Sequence, residues 1–128
     1  MSILGVHTLL YSSEPEALRA TLRDVFGLKS VDAGGGWLIF ALPPAELGVH
    51  PTEGEKADAA GRHQISFVCD DIAATMADLR KRGLHFDSEP HDEGFGIVVM
   101  MTLPGGVKVM LYQPRHATAI PLTKTTGH

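Results

Sequence analysis

The sequence predicts an α+β fold: two βαβββ modules whose mixed β-sheets face each other around a cleft, with the helices outside. Three observations predict it. A strand–helix unit recurs without a gap, with His7 and His63, Tyr11 and Phe67, and Gly27-Leu28 and Gly83-Leu84 all 56 positions apart. Beyond each helix a glycine precedes an apolar run ending in Leu-Pro. These are Gly36 with Leu42-Pro43 and Gly96 with Leu103-Pro104, at offsets of 60 and 61. Each copy also changes its apolar spacing in the same order, from strand-like to helical and back.

The first module covers residues 1–51. Gly5 to Tyr11 reads as a strand. Ser13-Glu14-Pro15-Glu16 reads as a capping box, because a Ser hydroxyl and a Glu carboxylate can satisfy the free N–H groups of a helix start. Leu18, Leu22, Val25 and Phe26 follow at helical spacing, and Gly27 can take the left-handed conformation that closes a helix. Gly34-Gly35-Gly36 precedes Trp37 to Leu42, read as a short buried strand and broken by Pro43-Pro44. Ala45 to His50 reads as a further strand, with Leu47 and Val49 on one face and Glu46 and His50 on the other. Leu47 then pairs with Leu111 at an offset of 64.

Polar, small residues 52–62 read as a linker, and residues 63–114 repeat the pattern. His63 to Cys69 reads as a strand. Asp70 or Asp71 caps a helix striped by Ile72, Met76 and Leu79, and Gly83 closes it. Leu84 to Phe86 reads as a short strand and Ser88 to Glu93 as a polar loop. Ile97 to Met101 and Val107 to Gln113 read as strands joined by the Leu103-Pro104-Gly105-Gly106 turn. The tail, residues 115–128, has little pattern and is expected to be loosely ordered.

Composition narrows the class. At 128 residues and 44% apolar, the chain suits a compact globular protein. No apolar run approaches the ~20 residues of a membrane span. Met1 to Gly5 lacks the basic and apolar regions of a signal peptide. Cys69 is the single cysteine, which excludes an intrachain disulfide and a cysteine-rich metal site. The expected compartment is the cytoplasm. Net charge is −4 and no basic stripe is visible, so neither nucleic acid nor membrane is an expected partner.

The histidines carry the chemistry. Alternate strand residues share a face, so His7 points with Leu9 and Tyr11, and His63 with Ile65, Phe67 and Cys69. A pseudo-twofold axis between the copies lets both imidazoles converge on one point. With Glu46 they make a ligand set suited to a divalent metal such as Zn, Ni, Mn or Fe, which would polarise a bound oxygen. His50 shares the face of Glu46. Both histidines also fit a polar cleft without metal, and Glu46 a solvent-facing strand position. Tyr11, Trp37, Phe67 and Met110 are candidate pocket residues, with Phe95 beside them; core packing is the alternative. Cys69 reads as a small buried hydrophobe. His91-Asp92-Glu93-Gly94 reads as a solvated turn, or as a source of a general base.

Three segments carry a family resemblance: Gly5-Val6-His7-Thr8-Leu9-Leu10-Tyr11, His63-Gln64-Ile65-Ser66-Phe67-Val68-Cys69-Asp70-Asp71, and Leu103-Pro104-Gly105-Gly106 with Met110-Leu111-Tyr112-Gln113-Pro114. Over the chain up to Pro114 the sequence resembles the vicinal oxygen chelate superfamily, the glyoxalase, bleomycin-resistance and extradiol-dioxygenase group. The resemblance implies metal ligands at His7, Glu46, His63 and position 110. Many enzymatic members have Glu at that last position, and this chain has Met110, whose thioether is a poor ligand for hard ions.

Two functions follow as expectations. In the first, the chain is a metal-dependent isomerase, epimerase or lyase acting on a small oxygen-chelating substrate, with Glu46 also moving a proton. The alternative is a metal-free protein of the bleomycin-resistance type that sequesters a small molecule, which Met110 favours. The resemblance also implies a homodimer.

Overall fold

A computed structural model describes residues 7–49 and 62–122. Helix α1 spans Pro15–Asp24, strand β1 Ser30–Asp32 and strand β2 Leu38–Phe40. Strand β3 (Ser66–Val68), helix α2 (Ile72–Lys81) and strands β4 (His91–Asp92), β5 (Gly96–Leu103) and β6 (Val107–Pro114) follow. The fold is α+β with mixed sheets. β1 and β2 pair antiparallel, and a four-stranded sheet has the order β3-β6-β5-β4. In it β3 runs parallel to β6, and the other neighbours are antiparallel.

The second half realises the full β-α-β-β-β order. Asp71 Oδ1 accepts the Ala74 N–H at 3.0 Å and Gln113 Oε1 accepts the Ile72 N–H at 2.8 Å, so two free donors of the α2 N-terminus are satisfied. Gly83 ends the helix at φ 101°. The buried stripe Ile72, Met76 and Leu79 packs on one face of the sheet, against Val99, Met101, Leu103, Val109 and Leu111. Leu18 of α1 belongs to the same core, with Leu22, Val25 and Phe26 packed against it. Both helices therefore cover one face of the four-stranded sheet, and its other face is left open.

Several local expectations differ from the structure. The capping box does not form: Glu14 is the residue before the first turn and makes no side-chain cap. Instead Ser12 Oγ accepts the Glu14 N–H at 3.0 Å and donates to the Pro104 carbonyl at 2.8 Å. Glu14 Oε2 accepts the Gly105 N–H at 3.1 Å. The β5–β6 turn thus takes the polar groups that sequence assigned to the helix start, and Pro15, having no N–H, needs none of them.

Residues 7–12 and 41–49 form no strand. Leu47 and Val49 alternate as a strand would, but both are 91% exposed, and no ladder partner covers them among the described residues. His50 and residues 51–61 of the expected linker lie outside the described residues. Leu84 to Phe86 contributes one bridge, Phe86 to Met101. The expected loop 88–93 contains β4, whose His91 and Asp92 pair with Val98 and Ile97. β1 was not expected. Its three residues are too few for periodicity, and it forms because the Asp32 carboxylate accepts the Gly34 and Gly36 N–H groups and closes a hairpin onto β2.

Candidate functional site

Alternation along β6 sorts its side chains. Val107, Val109 and Leu111 are buried against the helices, so Lys108, Met110 and Tyr112 stand on the open face. On β5 the same argument puts Gly96, Val98, Met100 and Thr102 there. The register sets Met110 beside Met100 and Tyr112 beside Val98. On β3, Ile65, Phe67 and Cys69 pack toward the helices, leaving Ser66 and Val68 on the open side, with Ser66 beside Met110. The centre of the open face is therefore two thioethers and two valines.

One end of this face is aromatic and polar. The Phe95 and Tyr112 rings meet edge-on at 5.8 Å between centroids, and the His116 ring lies 5.7 Å from that of Tyr112. Burial, and then the charge of Glu46, push the Tyr112 phenol above its ordinary pKa. Glu46 Oε2 accepts the Ala119 N–H at 2.7 Å. At the root of the tail, Arg115 pairs with Asp92 and donates its N–H to the Phe95 carbonyl at 2.9 Å. The Gly94 N–H and the Arg115 guanidinium hold the Asp92 carboxyl below the usual range.

The residues singled out from sequence divide. Met110 is half-buried on the open face, and Glu46 borders it through Tyr112. Phe67 lies on the opposite face, in the core, its ring 5.1 Å from Phe26. Trp37 is 56% exposed beneath the Arg19 guanidinium, 4.9 Å from the ring centroid. Tyr11 is 86% exposed. Cys69 is half-buried, and burial raises its thiol pKa.

The two histidines both lie outside the strands. Leu10 packs against the core, while His7, Leu9 and Tyr11 are exposed. His63 precedes β3 and is exposed as well. Among the described residues no three His, Cys, Asp or Glu side chains are grouped to hold a metal ion. His7, Glu46 and His63 are therefore not grouped as a ligand set within one chain.

Sequence reasoning did not single out Met100, Tyr112 and His116 as site residues. The alternation of β6 around buried Val109 and Leu111 carried the signal for Tyr112. Nothing in the sequence signalled His116, because the path of the tail is set by tertiary contacts. A groove of about 420 Å³ lies elsewhere, between α1 and the β5–β6 turn. It is lined by the Glu14 clamp, Thr21, Val25 and His85, and brings no catalytic grouping together. Among the described residues no helix is long and apolar enough to cross a membrane.

A family model described as Glyoxalase/Bleomycin resistance protein/Dioxygenase superfamily matches residues 6–111. A search of curated protein sequences found no match. Among solved structures, the chain is similar to a lactoylglutathione lyase from Agrobacterium tumefaciens, at 21% identity and a TM-score of 0.60, covering 88% of this chain and 94% of that one. It is also similar to TnmS3, an antibiotic binding protein from Streptomyces sp. CB03234, at 24% identity and a TM-score of 0.61, covering 89% and 98%. A superfamily member from Sphaerobacter thermophilus aligns at 21% identity and a TM-score of 0.57, covering 88% and 99%. At these identities the likeness concerns the fold.

Proposed function

This chain belongs to the glyoxalase/bleomycin resistance protein/dioxygenase superfamily, and from that premise we propose that it binds an apolar small molecule on the open face of the four-stranded sheet. The observation that carries the reading is the Met100–Met110 pair at the centre of that face. Thioether side chains are flexible and polarisable, and they repack around organic guests. Small-molecule sites are mostly apolar with a few polar groups at fixed places. Here those groups are the Tyr112 phenol, the His116 ring and Glu46, all at one end. Binding of an organic compound suits this surface better than oxygen chelation; the similar Streptomyces protein is named an antibiotic binding protein.

A second copy of the chain completes the site in this reading. Leu9, Tyr11, Leu47 and Val49 are 56%, 86%, 91% and 91% exposed, an apolar set that a partner would cover. The first-half segments that form no strand are the same ones.

The metal-dependent lyase or isomerase is the second reading. It draws on His7, which is exposed, and needs Glu46 and His63 to be brought to it across two chains. A bound divalent ion would supply Lewis acidity to a chelating substrate.

The test is a titration with 8-anilinonaphthalene-1-sulfonate, an apolar fluorescent anion, alongside elemental analysis of the purified protein. Saturable binding that weakens at least tenfold in Met110→Glu, with no stoichiometric metal, is expected. Stoichiometric metal lost in the His7→Ala, His63→Ala double variant, with dye binding indifferent to Met110→Glu, would overturn the proposal in favour of the metalloenzyme.

A further inference from the structure

We infer that residues 115–122 are a strap across the polar end of the open face, and that the Glu46 carboxylate is its latch; the inference rests on the open face being the binding site. The β5–β6 pairing extends one residue past β6, and the chain bends at His116. Arg115 pins its root, with the backbone N–H on the Phe95 carbonyl and the guanidinium on Asp92. His116 then turns its ring toward Tyr112. The next residues fold on themselves: Thr118 Oγ1 donates to the Ile120 carbonyl at 2.7 Å, and His116 Nδ1 lies 2.8 Å from the Ala117 carbonyl oxygen. Thr118, Ile120 and Leu122 are half-buried although they belong to no helix or strand. The strap therefore lies on the molecule instead of trailing from it.

Among the described residues one directed hydrogen bond holds its far part. The Ala119 N–H donates to Glu46 Oε2 at 2.7 Å, joining segments 73 residues apart. A carboxylate acceptor makes this stronger than a neutral hydrogen bond. Glu46 sits on a segment that is exposed throughout residues 41–49, and the Ala119 N–H is the hydrogen-bond partner its carboxylate takes from the tail.

One group thus serves two purposes. A guest that claims Glu46 Oε2 competes with the Ala119 N–H for it. Latched, the strap keeps His116 against Tyr112; released, it frees that end of the face. Glu46 is here a gating residue as well as a polar group of the site.

The experiment separates the latch from the site. Amide hydrogen exchange reads the Ala119 N–H directly in the full chain, without any ligand. Protection of about tenfold or more is expected, from the strength of a charge-assisted hydrogen bond, with its loss in Glu46→Ala. Exchange of Ala119 at the free-peptide rate in the unaltered chain would overturn the strap. Ala119→Pro removes the donor while leaving every site side chain in place, and a chain ending at His116 removes the rest of the strap and keeps the His116 ring. Both are expected to bind 8-anilinonaphthalene-1-sulfonate at least threefold more tightly than the unaltered protein. Unchanged affinity in both, with Ala119 protected, would overturn the gating. If no variant binds the dye, the assignment of the open face fails and gating with it, while the exchange data still report whether the latch exists.

Discussion

Tyr112 lays its ring over Gly96, its diagonal neighbour on β5, so closely that a β-carbon on residue 96 would overlap the ring and stand 2.7 Å from the Gln113 carbonyl oxygen. Gly96 is buried for this reason, although it brings no side chain of its own. The missing β-carbon seats the aromatic end of the open face.

Gly96→Ala is therefore expected to displace Tyr112 and to disturb Phe95, which meets it edge-on. Overpacking of this kind costs about 1–3 kcal/mol. Urea unfolding measures the loss, and the Tyr112 ring resonances report the displacement. A variant of unchanged stability with unshifted ring signals would refute the seat.

The closeness of Glu46 and Tyr112 has a spectroscopic consequence. Burial and the carboxylate both oppose formation of the phenolate, so the folded chain holds this proton more tightly than the unfolded chain. Stability from this group is present below the tyrosine range and declines as pH rises through the unfolded value near 10. In a Tyr11→Phe background, ultraviolet titration reads Tyr112 alone, since the chain has two tyrosines. Glu46→Gln removes the charge and is expected to lower the pKa while leaving it above the ordinary value, because burial persists. A pKa indifferent to Glu46→Gln would mean that the two groups do not meet.

The clamp between α1 and the β5–β6 turn yields a graded pair of variants. Ser12→Ala deletes one acceptor and one donor at part-buried positions and is expected to cost about 1 kcal/mol. Gly105→Ala is expected to cost more. Residue 105 stands at φ +86°, and a β-carbon there would collide with the Ser12 hydroxyl and lie 2.9 Å from the Glu14 nitrogen. Chemical denaturation orders the two, and the reverse order would contradict the clamp.

The second half of the fold was the more legible. Its Asp71 cap, its Ile72, Met76, Leu79 stripe and its two long strands all stand where periodicity put them, because each is satisfied within the chain. The first half was read as strands at Gly5 to Tyr11 and Ala45 to His50 from alternation alone. Alternation reports which side of a strand is apolar; it does not supply the partner that makes the strand. The repeat was legible in its helices and closing glycines, because a helix stripe and a left-handed glycine are local signals. The site's aromatic end was half legible. Phe95 and Met110 drew notice as apolar residues near a turn and on a strand, whereas His116 is brought in by the return of the tail, which no local pattern records.

Leu18 and Phe26, from the first copy of the repeat, lie in a core whose sheet and second helix come wholly from the second. Neither copy owns a finished interior. Cutting the polypeptide between the copies would leave the larger fragment with an apolar trough where α1 belongs, and the smaller one with a lone hairpin and a helix below the length that holds itself together in water. Such fragments are expected to regain structure only on mixing. That makes the chain a natural candidate for split-protein complementation, with the joint placed between its two halves.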